Sequence, residues 1–280
     1  MKSTAVPREV KTVGVVGAGR MGTPIIGHLV RKGFVTRACD LDAARASAVE
    51  KLGAGWAASP EALASESDAV LICVGFDREV QELLARGGPL RKAKPGTIVA
   101  ILSTIHPKTV QSLAEECKGA GLHVVDSTVC RGGEAADSGT LLSFVGGGAQ
   151  VVARLTPVLR AYSSDVVHTG GAGTAQVAKA ANNLILWACL VADHEALALA
   201  QHYGADVEAL RRALLMSSCA NGPLEKWGSQ TMAWAEDDMA IVAEMAAEAG
   251  IALPQARVNR EICRELKPRR YKLELYGRKE

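Results

Sequence analysis

The sequence predicts an α/β fold in which a doubly wound, mostly parallel sheet is followed by an all-helical domain. Apolar runs alternate with helical segments as far as residue 168, and such alternation is typical of a parallel sheet. Residues 174–203 are then rich in Ala and Leu with no internal Gly or Pro, which predicts one long helix, and the segments after them are helical in pattern. We therefore expect two domains, residues 1–168 and residues 169–280, joined by that long helix.

A glycine turn lies between the first predicted strand and the first predicted helix. Gly17, Gly19 and Gly22 have the G-x-G-x-x-G spacing. The first permits a tight turn, the second lets the backbone approach a pyrophosphate, and the third lets the helix pack on its strand. The start of the helix also favours phosphate charge. The spacing predicts a dinucleotide-binding Rossmann domain, with a structural turn in another α/β unit as the alternative. The predicted cofactor contacts are Gly17, Ala18, Gly19, Arg20, Met21 and Gly22.

Asp40 ends the second predicted strand, about 20 residues after the turn, which is the usual place for the residue that binds the cofactor ribose. A carboxylate there accepts hydrogen bonds from both ribose hydroxyls of NAD and repels the 2′-phosphate of NADP. Arg45 lies nearby in the sequence and can soften that repulsion. Asp42 is placed to cap the next helix. We expect NAD as cofactor, with NADP not excluded.

Two further strands end at positions where ligands bind in such sheets. The apolar run of residues 68–75 ends with Cys73, Val74 and Gly75. The run of residues 97–102 is followed by Ser103 and Thr104. The carboxyl ends of parallel strands line the ligand crevice, so we expect these five residues to contact the cofactor. Ser103 and Thr104 have an equal alternative role, which is to cap the helix that Pro107 opens.

The composition favours a cytoplasmic protein that acts on a small molecule. A net charge of +2 gives no field for nucleic acid or a membrane, and the basic stretch of residues 267–279 is expected to be a solvated tail. Residues 1–11 lack the apolar segment of a signal peptide, and no run approaches 18 apolar residues. The seven cysteines include no C-x-x-C, and the six histidines show no metal-ligand spacing, so we expect a reducing compartment and no metal.

Two polar stretches are not required by the fold alone. Lys179 and Asn183 share one face of the predicted long helix, with Asn182 beside them, and a lysine near a cleft can serve as a general acid or base. The alternative is a surface lysine and two amides that bond nearby backbone. The predicted loop of residues 126–133 contains Arg131 among glycines, where backbone N–H groups and a guanidinium can hold an anion. The alternative is an exposed arginine on a turn.

These motifs, in this order, resemble the β-hydroxyacid dehydrogenase family, which includes 3-hydroxyisobutyrate dehydrogenase and, more distantly, 6-phosphogluconate dehydrogenase. The likeness covers residues 12–254. It rests on the glycine turn, on residues 126–132 against the substrate loop D-A-P-V-S-G-G, and on residues 170–183 against the catalytic segment G-x-x-G-x-G-x-x-x-K-x-x-N-N.

The resemblance implies hydride transfer between nicotinamide and a β-hydroxy acid or related semialdehyde. It implies that Lys179 is the general acid or base, that Asn182 and Asn183 orient the substrate, and that residues Cys130, Arg131 and Gly132 bind its acid group. It also implies a small, anionic substrate and a homodimer or homotetramer. Imine reduction on the same fold and a non-catalytic cofactor-binding scaffold are the alternatives, and Lys179 argues against both.

Four residues depart from the family pattern. Ala175 replaces a glycine, Cys130 replaces a serine, Arg131 replaces a glycine, and Asp237 stands where the family has a lysine beside the substrate. Arg131 resembles the arginine of the sulfolactaldehyde reductases, which suggests a sulfonate or another strong anion. Asp237 removes a cation from the predicted substrate site and keeps imine reduction open. We therefore expect a substrate other than the usual small hydroxy acid.

Overall fold

The computed structural model describes residues 9–229, 232–266 and 273. The chain divides into two compact units, Met1–Lys179 and Ala180–Glu280. The domain boundary predicted after residue 168 falls inside the last strand of the first unit. Most of the N-terminal stretch and, apart from residue 273, the predicted basic tail lie outside the described residues.

One sheet of eight strands organises the described part of the first unit. Its order is β3-β2-β1-β4-β5-β6-β7-β8, and every neighbouring pair is parallel except β6 and β7. The order reverses between β1 and β4, so the loops after these two strands meet at the ligand-binding edge. The predicted mostly parallel, doubly wound sheet is confirmed. The strands are β1 (Thr12–Val16), β2 (Val35–Cys39), β3 (Gly55–Trp56), β4 (Ala69–Ile72), β5 (Ile98–Ile101), β6 (His123–Cys130), β7 (Leu141–Gly146) and β8 (Ser163–Gly170).

Helices cover both faces of this sheet. Adjacent residues of β4 point to opposite faces, so Leu71 packs with Ile25 in one core cluster while Ile72 packs with Leu84 in the other. This two-sided burial explains why β4 is continuously apolar in sequence. The helices are α1 (Gly22–Arg31), α2 (Ala46–Lys51), α3 (Pro60–Glu66), α4 (Asp77–Leu84), α5 (Pro107–Lys118), α6 (Gly132–Ser138) and α7 (Ala149–Leu159).

Two parts of the sheet differ from the prediction. The sequence analysis assigns no strand around Trp56, where the structure has the short strand β3, which pairs with β2 over two residues. The loop expected from Asp126 onward is strand as far as Cys130, because β7 returns antiparallel and pairs with residues 126–130. The polar residues of that segment are therefore held in regular structure.

The second unit is helical in its described residues, as predicted. Its helices end or begin near glycines and prolines, for example at Gly204, Gly250 and Pro254. Trp187 and Leu190 pack with residues of the later helices in its main core cluster. The long helix α8 (Thr174–His202) starts in the first unit, and α9 (Val207–Leu214), α10 (Gly222–Glu225), α11 (Ala235–Ala249) and α12 (Pro254–Leu266) follow.

Among the described helices, α8 is long and apolar enough to cross a membrane by length and composition alone. This criterion tolerates charged residues and does not require the run of 18 apolar residues that the sequence lacks, and core helices of folded proteins meet it too. The side chains of Asn183, Asp193 and His194 are buried on α8, and its apolar residues pack in the core of the second unit, so it has the character of a core helix.

Candidate active site

Two glycines of the turn between β1 and α1 are required by packing. Gly17 has φ +98°, and an added Cβ would collide with the carbonyl oxygen of Cys73. At Gly22 an added Cβ would collide with the carbonyl oxygen of Gly17. These residues therefore set the tight turn and the close approach of α1 to the sheet, as their spacing predicts.

Gly19 is different, because the protein itself leaves room for a side chain there. The nearest atom to an added Cβ is Nη1 of Arg45, at 3.8 Å. Internal packing therefore gives no reason for glycine at this position, whereas close approach of a ligand does. The open space beside Gly19 and the N–H groups at the start of α1 fit the pyrophosphate of a dinucleotide.

Asp40 lies against the glycine turn. Its carboxylate accepts hydrogen bonds from the N–H groups of Ala18 (2.7 Å) and Asp42 (2.9 Å). Arg45 lies beside it, with Nε 3.6 Å from a carboxylate oxygen, and donates to the carbonyl oxygen of Ala18 at 2.8 Å. Asp42 caps the short 3₁₀ turn after it by accepting the N–H of Ala44. The end of β2 thus carries both a carboxylate and a guanidinium.

Arg20 and Met21 direct their side chains into protein contacts. Arg20 forms a two-pronged ion pair with Asp137 on α6, with both N–O distances 2.7 Å. This pair raises the pKa of Arg20 and lowers the pKa of Asp137. Met21 is half-buried against the core. Cofactor contacts by these two side chains stay a prediction.

The ends of β4 and β5 are joined by Ser103. Its hydroxyl accepts the N–H of Val74 (3.1 Å) and donates to the carbonyl oxygen of Val74 (2.8 Å). His106, and not Ser103 or Thr104, caps α5, so the capping role proposed for those hydroxyls is wrong. Burial raises the pKa of the Cys73 thiol to about 12, so this thiol stays protonated. The ligand edge at these strands is therefore fixed by a hydroxyl that bonds backbone.

Gly75, the third residue predicted at the exit of β4, is held by the start of α4. The N–H groups of Gly75 and Phe76 both donate to one carboxylate oxygen of Glu79, each at 2.9 Å. This carboxylate closes the turn between β4 and α4.

The first turns of α8 are attached to β5 and β6. Asp126 is fully buried and accepts the N–H groups of Gly173 (2.8 Å) and Gln176 (2.9 Å). The side chain of Gln176 donates to the carbonyl oxygen of Ser103 (2.8 Å) and accepts the N–H of Ile105 (3.0 Å). Sequence reasoning missed Gln176, because its burial and its bonds to the backbone after β5 follow only from the fold.

Lys179 reaches the end of β6. Its Nζ atom donates to the carbonyl oxygen of Val129 at 2.9 Å and lies 4.0 Å from the sulfur of Cys130. Asp126, Thr128 and Cys130 alternate along β6 and so share one face of the strand. The structure therefore brings the half-buried Lys179 side chain to the residues predicted to bind the substrate.

Arg131, the residue directly after β6, has an unusual backbone conformation. Its φ is +85°, and it is the one non-glycine residue with a positive φ in the described chain. Its Nη1 atom donates to Asp165 (2.7 Å), Ser164 (2.8 Å) and the carbonyl oxygen of Thr140 (3.0 Å). The Ser164 hydroxyl and the Arg131 guanidinium lower the pKa of Asp165. Binding of a substrate anion by Arg131 stays a prediction, and in this structure one end of the guanidinium is already engaged.

The sequence is similar to known protein families and to individual known proteins. Residues 12–171 match the family described as the NAD binding domain of 6-phosphogluconate dehydrogenase, and residues 173–272 match the family described as NAD-binding of NADP-dependent 3-hydroxyisobutyrate dehydrogenase. The chain is 30% identical over 216 residues to the NAD-dependent L-serine dehydrogenase of Pseudomonas aeruginosa, covering 77% of this chain and 72% of that protein. The chain belongs to the β-hydroxyacid dehydrogenase family.

Two further proteins agree with this membership. The chain is 27% identical over 262 residues to the 2-(hydroxymethyl)glutarate dehydrogenase of Eubacterium barkeri, covering 89% of this chain and 87% of that protein. The solved structure of Mycobacterium tuberculosis 3-hydroxyisobutyrate dehydrogenase with L-serine has the same fold, with a TM-score of 0.84, 24% identity, and coverage of 93% and 94% of the two chains. The chain is an NAD(P)-dependent dehydrogenase acting on CH–OH groups.

The backbone at position 131 fits the glycine that the family resemblance leads us to expect there. A left-handed conformation suits glycine and strains a residue that carries a Cβ. The next residue, Gly132, also has a positive φ, of +77°. This β-hydroxyacid dehydrogenase therefore carries an arginine at a position whose backbone favours glycine.

The remaining predicted substrate residues lie in the second unit. The side-chain amide of Asn182 donates to the side-chain oxygen of Asn183 at 3.0 Å, so the two amides bond each other and not nearby backbone. Asn183 is buried, and its Nδ2 atom has no hydrogen-bond partner among the described residues. Asp237, at the position of the family lysine, is exposed in the first turn of α11, where negative charge favours the helix start. Substrate contacts by these three residues stay a prediction.

Within the described residues, no three His, Cys, Asp or Glu side chains are grouped closely enough to hold a metal ion. All seven cysteines are free thiols.

Proposed function

We propose that this dehydrogenase transfers hydride between NAD(P) and a β-hydroxy acid or related semialdehyde, with Lys179 as general acid or base. The observation that carries the proposal is the position of the Lys179 Nζ atom, 2.9 Å from the Val129 carbonyl oxygen and 4.0 Å from Cys130. That point is the end of β6, in the segment that matches the family substrate loop. The contacts of Asp126 and Thr128 on β6 with the start of α8 together bring the amine there.

Each protein group has a definite task in this reaction. The nicotinamide, when bound, accepts or supplies the hydride. In the reducing direction the Lys179 ammonium donates a proton to the carbonyl oxygen of the substrate, and in the oxidising direction the amine takes the proton of the hydroxyl. The Val129 carbonyl oxygen holds Nζ in place by accepting a hydrogen bond from one of its N–H groups. The other N–H groups are left for the substrate oxygen.

Substrate orientation falls to the groups around the amine. We propose that the backbone around Gly132, together with Cys130 and Arg131, holds the acid group of the substrate, because N–H groups in left-handed turns form anion-binding concavities. Asn182 and Asn183, one turn along α8 from Lys179, are proposed to hold a second polar group. The unpartnered Nδ2 atom of Asn183 supports this role.

The relatives indicate the class of substrate. L-Serine, 2-(hydroxymethyl)glutarate and 3-hydroxyisobutyrate, which are named for the relatives, each carry a primary hydroxyl on the carbon β to a carboxylate. We propose that this enzyme acts on the same unit. Cys130 and Arg131 differ from the family residues at the acid-binding position, so the group attached to that unit is proposed to be another carboxylate or a sulfonate.

NAD is the proposed cofactor, because the Asp40 carboxylate lies beside the glycine turn where the ribose hydroxyls bind. Arg45, 3.6 Å away, partly compensates its charge and supports some use of NADP. We further propose that the enzyme works in the cytoplasm as a homodimer or homotetramer. Large exposed apolar side chains on α8, Ile185 and Leu199, and Tyr203 directly after its end, support association of the second unit.

A substrate screen tests this function. NAD(H) absorbance at 340 nm is followed with β-hydroxy acids, their sulfonate analogues and cyclic imines, using NAD and NADP in parallel. The variants are Lys179→Ala and, as a matched control, Lys92→Ala, which removes an exposed lysine of the same unit. We expect turnover of a β-hydroxy acid or sulfonate that Lys179→Ala abolishes and Lys92→Ala keeps. Turnover of imines alone, or no turnover despite NADH binding, would overturn the proposal.

A further inference from the structure

The start of α8 is capped by a carboxylate from a different element. Asp126 belongs to β6, and its two oxygens accept the N–H groups of Gly173 at 2.8 Å and Gln176 at 2.9 Å. N–H groups in the first turn of a helix have no partner within the helix itself. Most helices satisfy them with a residue that directly precedes the helix. Here a buried strand residue does so, and α8 is thereby tied to the sheet.

Because Asp126 is buried, its carboxylate needs these hydrogen bonds. Asp126 has no exposed surface, and a carboxylate removed from water is tolerated only when it is hydrogen-bonded. Burial raises the pKa of Asp126, whereas the N–H groups of Gly173 and Gln176 lower it. The partial positive charge at the helix start stabilises the ionised form further. The carboxylate and the first turn of α8 therefore stabilise each other.

Two more buried side chains attach the same turn. The Thr128 hydroxyl donates to the carbonyl oxygen of Ala175 at 3.0 Å. Gln176 bridges to the end of β5, donating to the Ser103 carbonyl oxygen and accepting the N–H of Ile105. All three side chains, those of Asp126, Thr128 and Gln176, are buried. Together they fix the position of the start of α8 along the sheet and its rotation about the helix axis.

This attachment controls where the amine of Lys179 lies. Lys179 follows Gln176 by three residues, so it lies about one turn further along the same rigid helix. Its Nζ atom donates to the carbonyl oxygen of Val129, on the strand that also carries Asp126. A shift or turn of the helix start moves the amine relative to β6. A misplacement of about 1 Å in a reacting group can cost about a hundredfold in rate.

We propose that Asp126 is a positioning residue for Lys179: by capping α8 from β6 it holds the amine at the substrate loop. The inference rests on the proposed function, which gives Lys179 its role in proton transfer.

The substitution Asp126→Asn tests the inference. The amide keeps the shape but replaces one acceptor with a donor, which cannot accept an N–H bond. We expect kcat to fall at least about tenfold, with the Kd of NADH within about twofold of the wild type, because the glycine turn is untouched. Amide hydrogen exchange in residues 171–179 should become faster, which reports on the helix start independently of activity.

Asp68→Ala is the control for general stability, because both N–H bonds of Asp68 go to one oxygen, which an Asn would keep. The Asp68 carboxylate also accepts two backbone N–H groups of a neighbouring segment, those of Lys11 (3.1 Å) and Thr12 (3.0 Å), but at the amino end of β1. We expect it to lower Tm without changing kcat or the exchange of residues 171–179. An equal loss of kcat in both variants would overturn the inference, because the effect would then be one of general stability.

If Asp126→Asn does not fold, a milder variant provides the test. Thr128→Val removes the bond to Ala175 at nearly constant volume, and we expect a kcat several-fold lower with unchanged NADH affinity. Wild-type kcat and wild-type exchange in the variants that fold would contradict the positioning role. The two proposals fail separately: full turnover by Lys179→Ala removes the proposed function, whereas an inactive Lys179→Ala with a fully active Asp126→Asn removes the inference alone.

Discussion

The Nζ atom of Lys179 donates a hydrogen bond to the carbonyl oxygen of Val129 at 2.9 Å, which joins α8 to the carboxyl end of β6. Both residues belong to the same compact unit as the glycine turn. The contact gives the amine a fixed place beside Cys130 and leaves it N–H bonds for a substrate oxygen.

The glycines of the turn should separate into structural and ligand-binding roles. Gly17→Ala places a Cβ against Cys73 and requires a left-handed backbone, so we expect a loss of at least about 1–2 kcal/mol in the free energy of unfolding. Gly19→Ala meets open space, so stability should stay within about 0.5 kcal/mol while the Kd of NADH rises at least about tenfold. Denaturant unfolding and fluorescence titration measure the two effects. Unchanged NADH affinity in Gly19→Ala would show that the cofactor does not approach this residue.

Cofactor preference should depend on the charges of Asp40 and Arg45. Removing the carboxylate in Asp40→Ala relieves repulsion of the 2′-phosphate, and we expect the ratio of kcat/KM for NADP to that for NAD to rise about tenfold. Arg45→Ala removes the cation beside it and should lower the same ratio. A wild-type enzyme that prefers NADP would contradict the role assigned to Asp40.

Arg131 should be strained by its backbone and only weakly stabilised by its ion pair. A left-handed conformation costs a residue with a Cβ about 1–2 kcal/mol, whereas an exposed ion pair contributes about 0–1 kcal/mol. Arg131→Gly should therefore keep or raise the free energy of unfolding. Arg131→Ala loses the ion pair with Asp165, keeps the strain, and should be the less stable of the two.

The same two Arg131 variants report on substrate binding. If the guanidinium holds a substrate anion, KM for that substrate rises in both, with little change in kcat. Equal stability of the glycine and alanine variants would contradict the strain, and an unchanged KM would remove Arg131 from the substrate site.

His194 should make the second unit sensitive to acid. It is buried, its Nδ1 atom lies 2.8 Å from the Leu190 carbonyl oxygen, and burial lowers its pKa. Because the folded pKa lies below the unfolded one, the unfolded chain binds more protons below about pH 6.5, and the free energy of unfolding falls as pH drops from about 7 to about 5. Denaturant unfolding across this range should show a smaller fall in His194→Gln. An identical pH profile in the variant would rule out this contribution.

The sequence was sufficient for the architecture because periodicity and glycine placement report local structure. The apolar run that became β4 and the glycine-free stretch that became α8 are long, strong patterns. The carboxyl end of β6 was predicted as a loop because Asp126, Ser127 and Thr128 are polar. The side chains of Asp126 and Thr128 are satisfied in the buried strand by the start of α8, which lies about 50 residues away in the sequence.

The site was predictable in identity but not in geometry. Lys179 and the glycine turn carry recognisable spacing, whereas the left-handed backbone of Arg131 and its pairing with Asp165 depend on the return of β7 and β8. The bridge made by Gln176 has no sequence spacing of its own, since it joins side chain to backbone across elements.

Chemical rescue of Lys179→Ala is the most direct test of the central claim that this amine transfers the proton. NADH formation at 340 nm is measured for the variant with the best hydroxy-acid substrate, with and without a small primary amine such as methylamine, alongside NADH binding. We predict a kcat at least about a hundredfold below the wild type, unchanged NADH affinity, and a rate that rises with amine concentration. Wild-type turnover in the variant without added amine would contradict the account.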